Sequence, residues 1–118
     1  MESHILAIES DGGVFAPKGF GFTGSDKAKK IALDIHKLMK PIGADNLSDG
    51  GRAADTALLN DLGVPVMSLK VDDSKYFWYH HTSADTFDKV DFNDFNKCIA
   101  AMATMAFIVA DLPERLPR

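Results

Sequence analysis

The densest group of side chains that could do chemistry lies at residues 76–86, Tyr-Phe-Trp-Tyr-His-His-Thr-Ser-Ala-Asp-Thr. It contains both tyrosines and the only tryptophan, followed by His80, His81 and Asp85. Imidazole is the commonest metal-binding side chain in proteins, a good zinc ligand and a general base near neutral pH. A carboxylate four residues after His81 could orient a ring nitrogen or cap the next helix. The alternative is a hydrophobic anchor followed by a turn.

The four consecutive aromatic residues do not alternate with polar ones, unlike the residues of a half-buried strand. We therefore interpret residues 76–86 as a loop or strand end. Tyr76 is the aromatic residue that we expect to face a substrate. Packing beneath the histidines is the alternative for Phe77 and Trp78.

A second polar group follows the first apolar run, residues 4–8, which indicates a short buried strand. The run ends at a glycine-rich turn that contains Glu9 and Asp11. In open α/β sheets ligands bind beyond the carboxyl ends of strands, where these two carboxylates would lie. Turn chemistry is the alternative, because Asp before Gly is a common turn pair.

The remaining chain alternates between helices and strands. Helices are predicted over residues 25–39, 56–62 and 92–111, with N-caps at Ser25, Asp55 and Asp91. A strand is predicted over residues 64–69, with its proline near the start. Loops are predicted over residues 15–22 and 46–52, with a third strand in the second of these as the alternative.

The two long helices differ in pattern. The first has one apolar face, which includes Leu38, and a charged face, on which His36 is predicted to be solvated. The last helix is apolar on nearly every side, so we expect it to be buried nearly all round, with Cys98 as a small core residue. Because two or three strands cannot cover such a helix, the chain is predicted to be part of a larger α/β domain or one partner in an oligomer.

Composition narrows the function classes. The chain has 118 residues, 46% of them hydrophobic and 25% charged, which indicates one globular domain at most. The net charge of -4 and the absence of a basic run argue against nucleic-acid binding. A membrane partner is not expected, because no apolar run approaches the length of a membrane span. The single cysteine excludes a disulfide framework and a thiolate metal site. No compartment is indicated.

Five segments together carry a family resemblance: residues 4–11, 15–22, 50–55, 63–65 and 81–86. In this order they resemble the C-terminal part of the co-catalytic di-zinc exopeptidases, the family of aminopeptidase Y and bacterial leucyl aminopeptidase. Within it, the carboxypeptidase Q (plasma glutamate carboxypeptidase) type is most similar. The resemblance implies a partial three-layer α/β/α fold, with a small mostly parallel or mixed sheet flanked by two long helices and one short helix. Residues 1–118 would be a single partial domain.

The same resemblance implies roles for individual residues. In that family two zinc ions share a bridging aspartate, and a glutamate beside another ligand is the general base. By motif, Asp11 and His81 would bind the same zinc, with Asp85 supporting His81. The base and the other three of the five ligand residues belong to segments upstream of the strand before Asp11. The resemblance therefore implies at most one weak, partial zinc site and no catalytic base in these residues.

Three hypotheses follow. The chain is the C-terminal part of a zinc exopeptidase that acts on peptides or dipeptides, and it is inactive alone. Alternatively, another chain or an oligomeric partner completes the site and hydrolysis occurs. The third is a non-enzymatic oligomerisation or interaction module derived from the same fold. We expect a homo-oligomer, or dependence on the missing N-terminal part, because the last helix must be covered.

Overall fold

Four strands of the computed structural model, which describes residues 3–118, form one mixed sheet. The order across the sheet is β1-β4-β2-β3. β1 runs parallel to β4, β2 runs parallel to β3, and the central pair β2 and β4 is antiparallel. The strands are β1 (Ala7–Glu9), β2 (Pro17–Thr23), β3 (Asn46–Asp49) and β4 (Val66–Val71).

Two long helices and two short ones accompany this sheet in residues 3–118: α1 (Asp26–Lys37), α2 (Ala57–Asp61), α3 (Tyr76–Tyr79) and α4 (Phe92–Ala110). Ser25 caps α1, since its hydroxyl accepts a hydrogen bond from the Ala28 N–H at 3.2 Å. The Asp91 carboxylate caps α4 by accepting from the N–H groups of Asn93 and Asp94. These two caps and the α/β fold with a small mixed sheet are confirmed.

The core lies between one face of the sheet and the two long helices. Phe20 of β2 is paired with Leu69 of β4, and Phe22 with Met67, so that all four point to the same side. Small buried residues of α1 and α4, including alanines, pack against them and let the helices approach the sheet closely. Full burial of a phenylalanine-sized side chain stabilises the fold by about 1.5–3 kcal/mol.

Both segments that were predicted as loops contain strands. In β2 glycines alternate with phenylalanines, so the two large rings lie on one face and Gly19 and Gly21 lie on the other. A Cβ atom on Gly21 would lie 2.4 Å from the carbonyl oxygen of Gly50, and one on Gly19 would lie 1.8 Å from that of Asn46. The glycines that indicated a loop therefore allow neighbouring backbone to pack on the strand.

His36 is buried, and its prediction as a solvated residue is wrong. The side chain is only 1% exposed and packs edge-on against Phe20, with ring centroids 5.3 Å apart. Nδ1 lies 2.7 Å from the carbonyl oxygen of Ala32 and donates to it. Nε2 is buried without a hydrogen-bond partner among residues 3–118. Burial lowers the pKa of His36, because the charged imidazolium would lose its hydration.

The apolar faces of the long helices are narrower than expected. α4 buries only one side, through Cys98, Ala101, Met105 and Val109. Ile99 is 49% exposed and Phe107 is 71% exposed, so the expectation of burial nearly all round is wrong for this chain. Leu38, the C-cap residue of α1, is likewise exposed and does not belong to the buried face.

Cys98 is confirmed as a small core residue. Its Sγ lies 3.2 Å from the carbonyl oxygen of Phe15, and burial raises the pKa of the thiol.

α4, the longest helix described, has 19 residues. No helix among residues 3–118 is long and apolar enough to cross a membrane.

Stability is expected to fall as the pH is lowered through the ordinary histidine pKa of about 6.5, and His36 should contribute to this fall. In the unfolded chain His36 takes up a proton near that pH, whereas the buried imidazole, with its lowered pKa, stays neutral. The unfolded state then binds more protons, so the free energy of unfolding decreases by up to about 1.4 kcal/mol per pH unit.

Urea unfolding at a series of pH values measures this dependence. His36→Leu should give a shallower decrease than the wild type, while His4→Gln, at an exposed histidine, should keep the wild-type decrease. An unchanged decrease in His36→Leu would contradict a neutral, buried His36.

Candidate functional site

One cleft of about 300 Å³ is lined by the four side chains for which the sequence predicts a role: Asp11, Tyr76, His81 and Asp85. Asp11 lies in the turn after β1, Tyr76 begins α3, and His81 and Asp85 follow α3. His80, Tyr79 and Phe15 also line this cleft. The fold thus brings together residues that lie far apart in the sequence.

Glu9 fixes the end of the strand that leads to Asp11. Its carboxylate accepts hydrogen bonds from the backbone N–H groups of Asp55 at 3.0 Å and Thr56 at 3.2 Å. The end of β1 is therefore tied to the start of α2. Asp55 does not cap α2 as predicted: Thr56 occupies the N-cap position, and the Glu9 carboxylate binds the N–H groups of Asp55 and Thr56, which precede the helix. Such a partner cannot be identified from local sequence.

Asp11 is exposed in its turn and lies where two clefts meet. Both Asp11 and Tyr76 line the 300 Å³ cleft and also a neighbouring one of about 370 Å³, which is lined further by Lys70 and Phe77. Within the described part of the chain, the Asp11 carboxylate makes no hydrogen bond or ion pair. It is therefore available to a ligand.

The aromatic segment is a helix rather than a loop or strand end. α3 spans four residues and exposes Phe77 by 83% and Trp78 by 64%, so the alternative of core packing for these two is wrong. A single helical turn has only one side against the protein. Tyr76 and Tyr79 take that side and are half-buried, and Tyr79 stacks on Phe15 with ring centroids 6.2 Å apart.

His81 occupies a strained position in a tight turn. Thr82 closes this turn, since its backbone N–H and its hydroxyl both donate to the carbonyl oxygen of Tyr79, at 3.0 and 2.8 Å. The backbone angles, φ -50° and ψ 119° at His80 and φ 56° at His81, are those of a type II turn, whose third position favours glycine. Of the residues in the range 3–118, only His81 has a positive φ without being glycine. Strained backbone of this kind clusters at functional sites.

Asp85 lies in the cleft, in the turn that follows His81. Its backbone N–H donates to the carbonyl oxygen of Thr82 at 3.1 Å. Its carboxylate makes no hydrogen bond to an imidazole in the described contacts, so its support of His81 stays a prediction. The alternative as a helix cap is wrong, because Thr86 is the N-cap of the following 3-10 turn (Phe87–Lys89) and Asp91 is the N-cap of α4.

The donor set suits part of a zinc site. A carboxylate oxygen from Asp11 and an imidazole nitrogen from His81 are ordinary zinc ligands. Across residues 3–118, however, no group of three or more His, Cys, Asp or Glu side chains is arranged to hold a metal ion. A zinc site usually has three or four protein ligands, so the arrangement of these side chains does not by itself form a complete zinc site.

Replacing His81 with glycine should leave the chain more stable than replacing it with alanine. Both changes remove the imidazole, but only glycine relieves the positive φ, which costs other residues about 1–2 kcal/mol. The greater freedom of glycine in the unfolded chain offsets part of this difference. Thermal unfolding of the two variants measures it.

The matched control is the adjacent histidine. At His80, where φ is -50°, glycine should be less stable than alanine. The same order of stability at both positions would contradict the turn geometry at His81.

Over nearly its whole length the chain is similar to known peptidases. The model of "Peptidase family M28" matches residues 3–106. Carboxypeptidase Q of Mus musculus is 37% identical over 118 residues, which cover 100% of this chain and 25% of the relative. Carboxypeptidase Q of Xenopus laevis is 40% identical over 113 residues, or 96% of this chain and 24% of the relative.

A solved structure gives the same result. The crystal structure of a peptidase M28 precursor from Shewanella amazonensis SB2B matches with a TM-score of 0.89 and 33% identity. The match covers 99% of this chain and 27% of that chain. The chain thus spans about a quarter of the length of the relatives that it matches.

Proposed function

Because this chain belongs to peptidase family M28, as its motifs predicted, we propose that it is the C-terminal part of a zinc-dependent exopeptidase. The reaction would be hydrolysis of terminal peptide bonds or dipeptides. One observation carries the proposal: Asp11 and His81, which are distant in sequence, line the same cleft. Residues 1–118 would form one part of a larger catalytic domain.

Asp11 and His81 would hold one zinc ion. Both side chains are exposed at the cleft, and His81 keeps a strained backbone that a purely structural turn would fill with glycine. Asp85 in the same cleft would orient the imidazole. When bound, zinc would supply a Lewis acid for the scissile carbonyl and would acidify water.

Tyr76 would contact the substrate. It shares with Asp11 the boundary between the two neighbouring clefts. A peptide whose scissile bond lies at Asp11 would extend into both clefts, with the ring of Tyr76 beside it. An aromatic ring that is half-buried suits the packing of an apolar substrate side chain.

These residues supply only part of the catalytic machinery. No group of three metal-binding side chains is present in the range 3–118, and a complete site also needs a general base. The family resemblance assigns the base and the remaining ligands to segments upstream of the strand before Asp11. We therefore expect the isolated chain to bind zinc weakly, at one site, and not to hydrolyse peptides.

Zinc binding and turnover test this function together. Calorimetric titration should give weak binding that falls at least about tenfold in Asp11→Ala and in His81→Ala. Asp45→Ala and His4→Gln, at exposed positions outside the cleft, serve as controls and should match the wild type. Wild-type affinity in the Asp11 or His81 variant would contradict the ligand assignment.

Assays with dipeptides and aminoacyl substrates in the presence of zinc should show no turnover by the isolated chain. Turnover that disappears in His81→Ala would instead favour the alternative in which a second chain completes the site.

A second candidate function, self-association, is favoured by an apolar groove of about 690 Å³ between the start of the chain and α4. Ile5 and Ile8 line one side, and Ile99 and Met102 line the other. β1 forms this edge of the sheet and pairs only with β4 among the described strands. Its free edge is a template for pairing with another strand.

We propose that a second copy of the chain covers this groove. No charged side chain lines it, so no like-charge repulsion opposes a two-fold contact of groove against groove. Two β1 edges and two α4 surfaces would then cover each other. In the longer relatives, about three quarters of the chain lies outside the matched region, and part of it could cover the groove instead.

The isolated chain is therefore expected to be a dimer or larger in light scattering over a dilution series. Ile99→Glu should weaken association by at least about tenfold, because it places an unpaired charge in the groove. Phe107→Glu, an exposed position on the same helix that does not line the groove, is the matched control. A monomer at every concentration, with a cooperative melt, would show that these residues close their own core.

A further inference from the structure

Three aromatic rings form a column that ends at the candidate zinc ligand. The rings of His80 and His81 stack with centroids 3.8 Å apart and planes inclined by 22°. Tyr76 stacks on His80 at 4.5 Å and 23°. Phe77 meets His80 edge-on at 6.3 Å. Because both Tyr76 and His81 stack on His80, His80 is the middle ring of the column.

The base of this column is held by backbone and by packing. The N–H of His80 donates to the carbonyl oxygen of Tyr76 at 2.9 Å, which closes the single turn of α3. Tyr79 fastens the same turn to Phe15. His80 itself is half-buried, whereas His81 at the end of the column is exposed.

An exposed imidazole on a strained turn needs an external restraint. The positive φ of His81 sets where its side chain leaves the backbone, but rotation about the side-chain bonds remains open. The face of the His80 ring limits that rotation. A ligand that is already oriented binds more tightly, because less rotamer freedom is lost when the metal arrives.

We propose that His80 is a positioning residue for His81: its ring, supported by Tyr76, holds the His81 imidazole in the orientation in which it meets a zinc ion beside Asp11. This rests on the proposed function, in which His81 is a zinc ligand. His80 acts through its planar surface, and its nitrogens do not bind the metal.

Two substitutions separate a planar surface from a nitrogen ligand. His80→Ala removes the ring, whereas His80→Phe keeps a ring that can stack on both neighbours and removes both nitrogens. Tyr76→Leu removes the support on the other side of His80 and serves as a second variant if His80→Ala does not fold. Circular dichroism establishes which variants are folded.

The zinc-free chain gives a readout that does not depend on metal binding. In nuclear magnetic resonance spectra, the coupling between the amide and α protons of His81 reports φ, and ¹³C relaxation of the imidazole reports ring order. His80→Ala, or Tyr76→Leu in its place, should increase the ring motion of His81, and His80→Phe should restore wild-type order. Unchanged ring order in the folded variant without the stack would overturn the proposal.

Titration with zinc alone adds the link to function. His80→Ala should weaken binding about three- to tenfold, the range expected for one aromatic stack, while His80→Phe should stay within about twofold of the wild type. If His80→Phe binds as weakly as His80→Ala, a nitrogen of His80 is a ligand and the positioning role is overturned.

The proposed function can fail separately. If His81→Ala binds zinc as tightly as the wild type, His81 is not a ligand. The part of the proposal that concerns zinc binding is then overturned. The ring order of His81 in the zinc-free chain would then report only a structural stack.

Discussion

The parallel pairing of β1 with β4 is the constraint on which the cleft depends. Ala7, Ile8 and Glu9 are in register with Val66, Met67 and Ser68. Because parallel strands end at the same edge of a sheet, the turn that carries Asp11 and the segment that carries His81 leave the sheet on the same side. The carboxylate of Glu9 strengthens this arrangement by binding the start of α2. This register therefore allows Asp11 and His81 to line the same cleft.

Local strain at His81 is tolerated because hydrogen bonds and ring packing hold the residues before and after it. The hydroxyl and N–H of Thr82 both bind the carbonyl of Tyr79, and α3 is fastened to Phe15 from the other side. A left-handed residue persists when the neighbouring contacts leave the chain no other path. The site thus combines a long-range restraint on Asp11 with a short-range restraint on His81.

Two helix caps, which depend on neighbouring residues, were predicted correctly, whereas the burial of His36, which depends on a residue distant in sequence, was not. The caps at Ser25 and Asp91 were identified correctly because each binds N–H groups of its own first helical turn. His36 was misplaced because its burial is decided by Phe20, which belongs to another element. The motifs selected four residues that share one cleft, although their chemical roles are still predictions. The contribution of His80 depends on ring geometry, which no sequence pattern contains.

In β2, large side chains alternate with glycines along the strand. Phe20 and Phe22 meet the helices, where another apolar side chain of similar size can be accommodated by repacking. Gly19 and Gly21 meet backbone, which has no rotamers to change and leaves no room for a methyl group. Tolerance to substitution should therefore alternate along the strand, with conservative exchange at one position and none at the next. In this strand one face requires the absence of a side chain at two positions, and a polarity profile of the sequence does not detect that requirement.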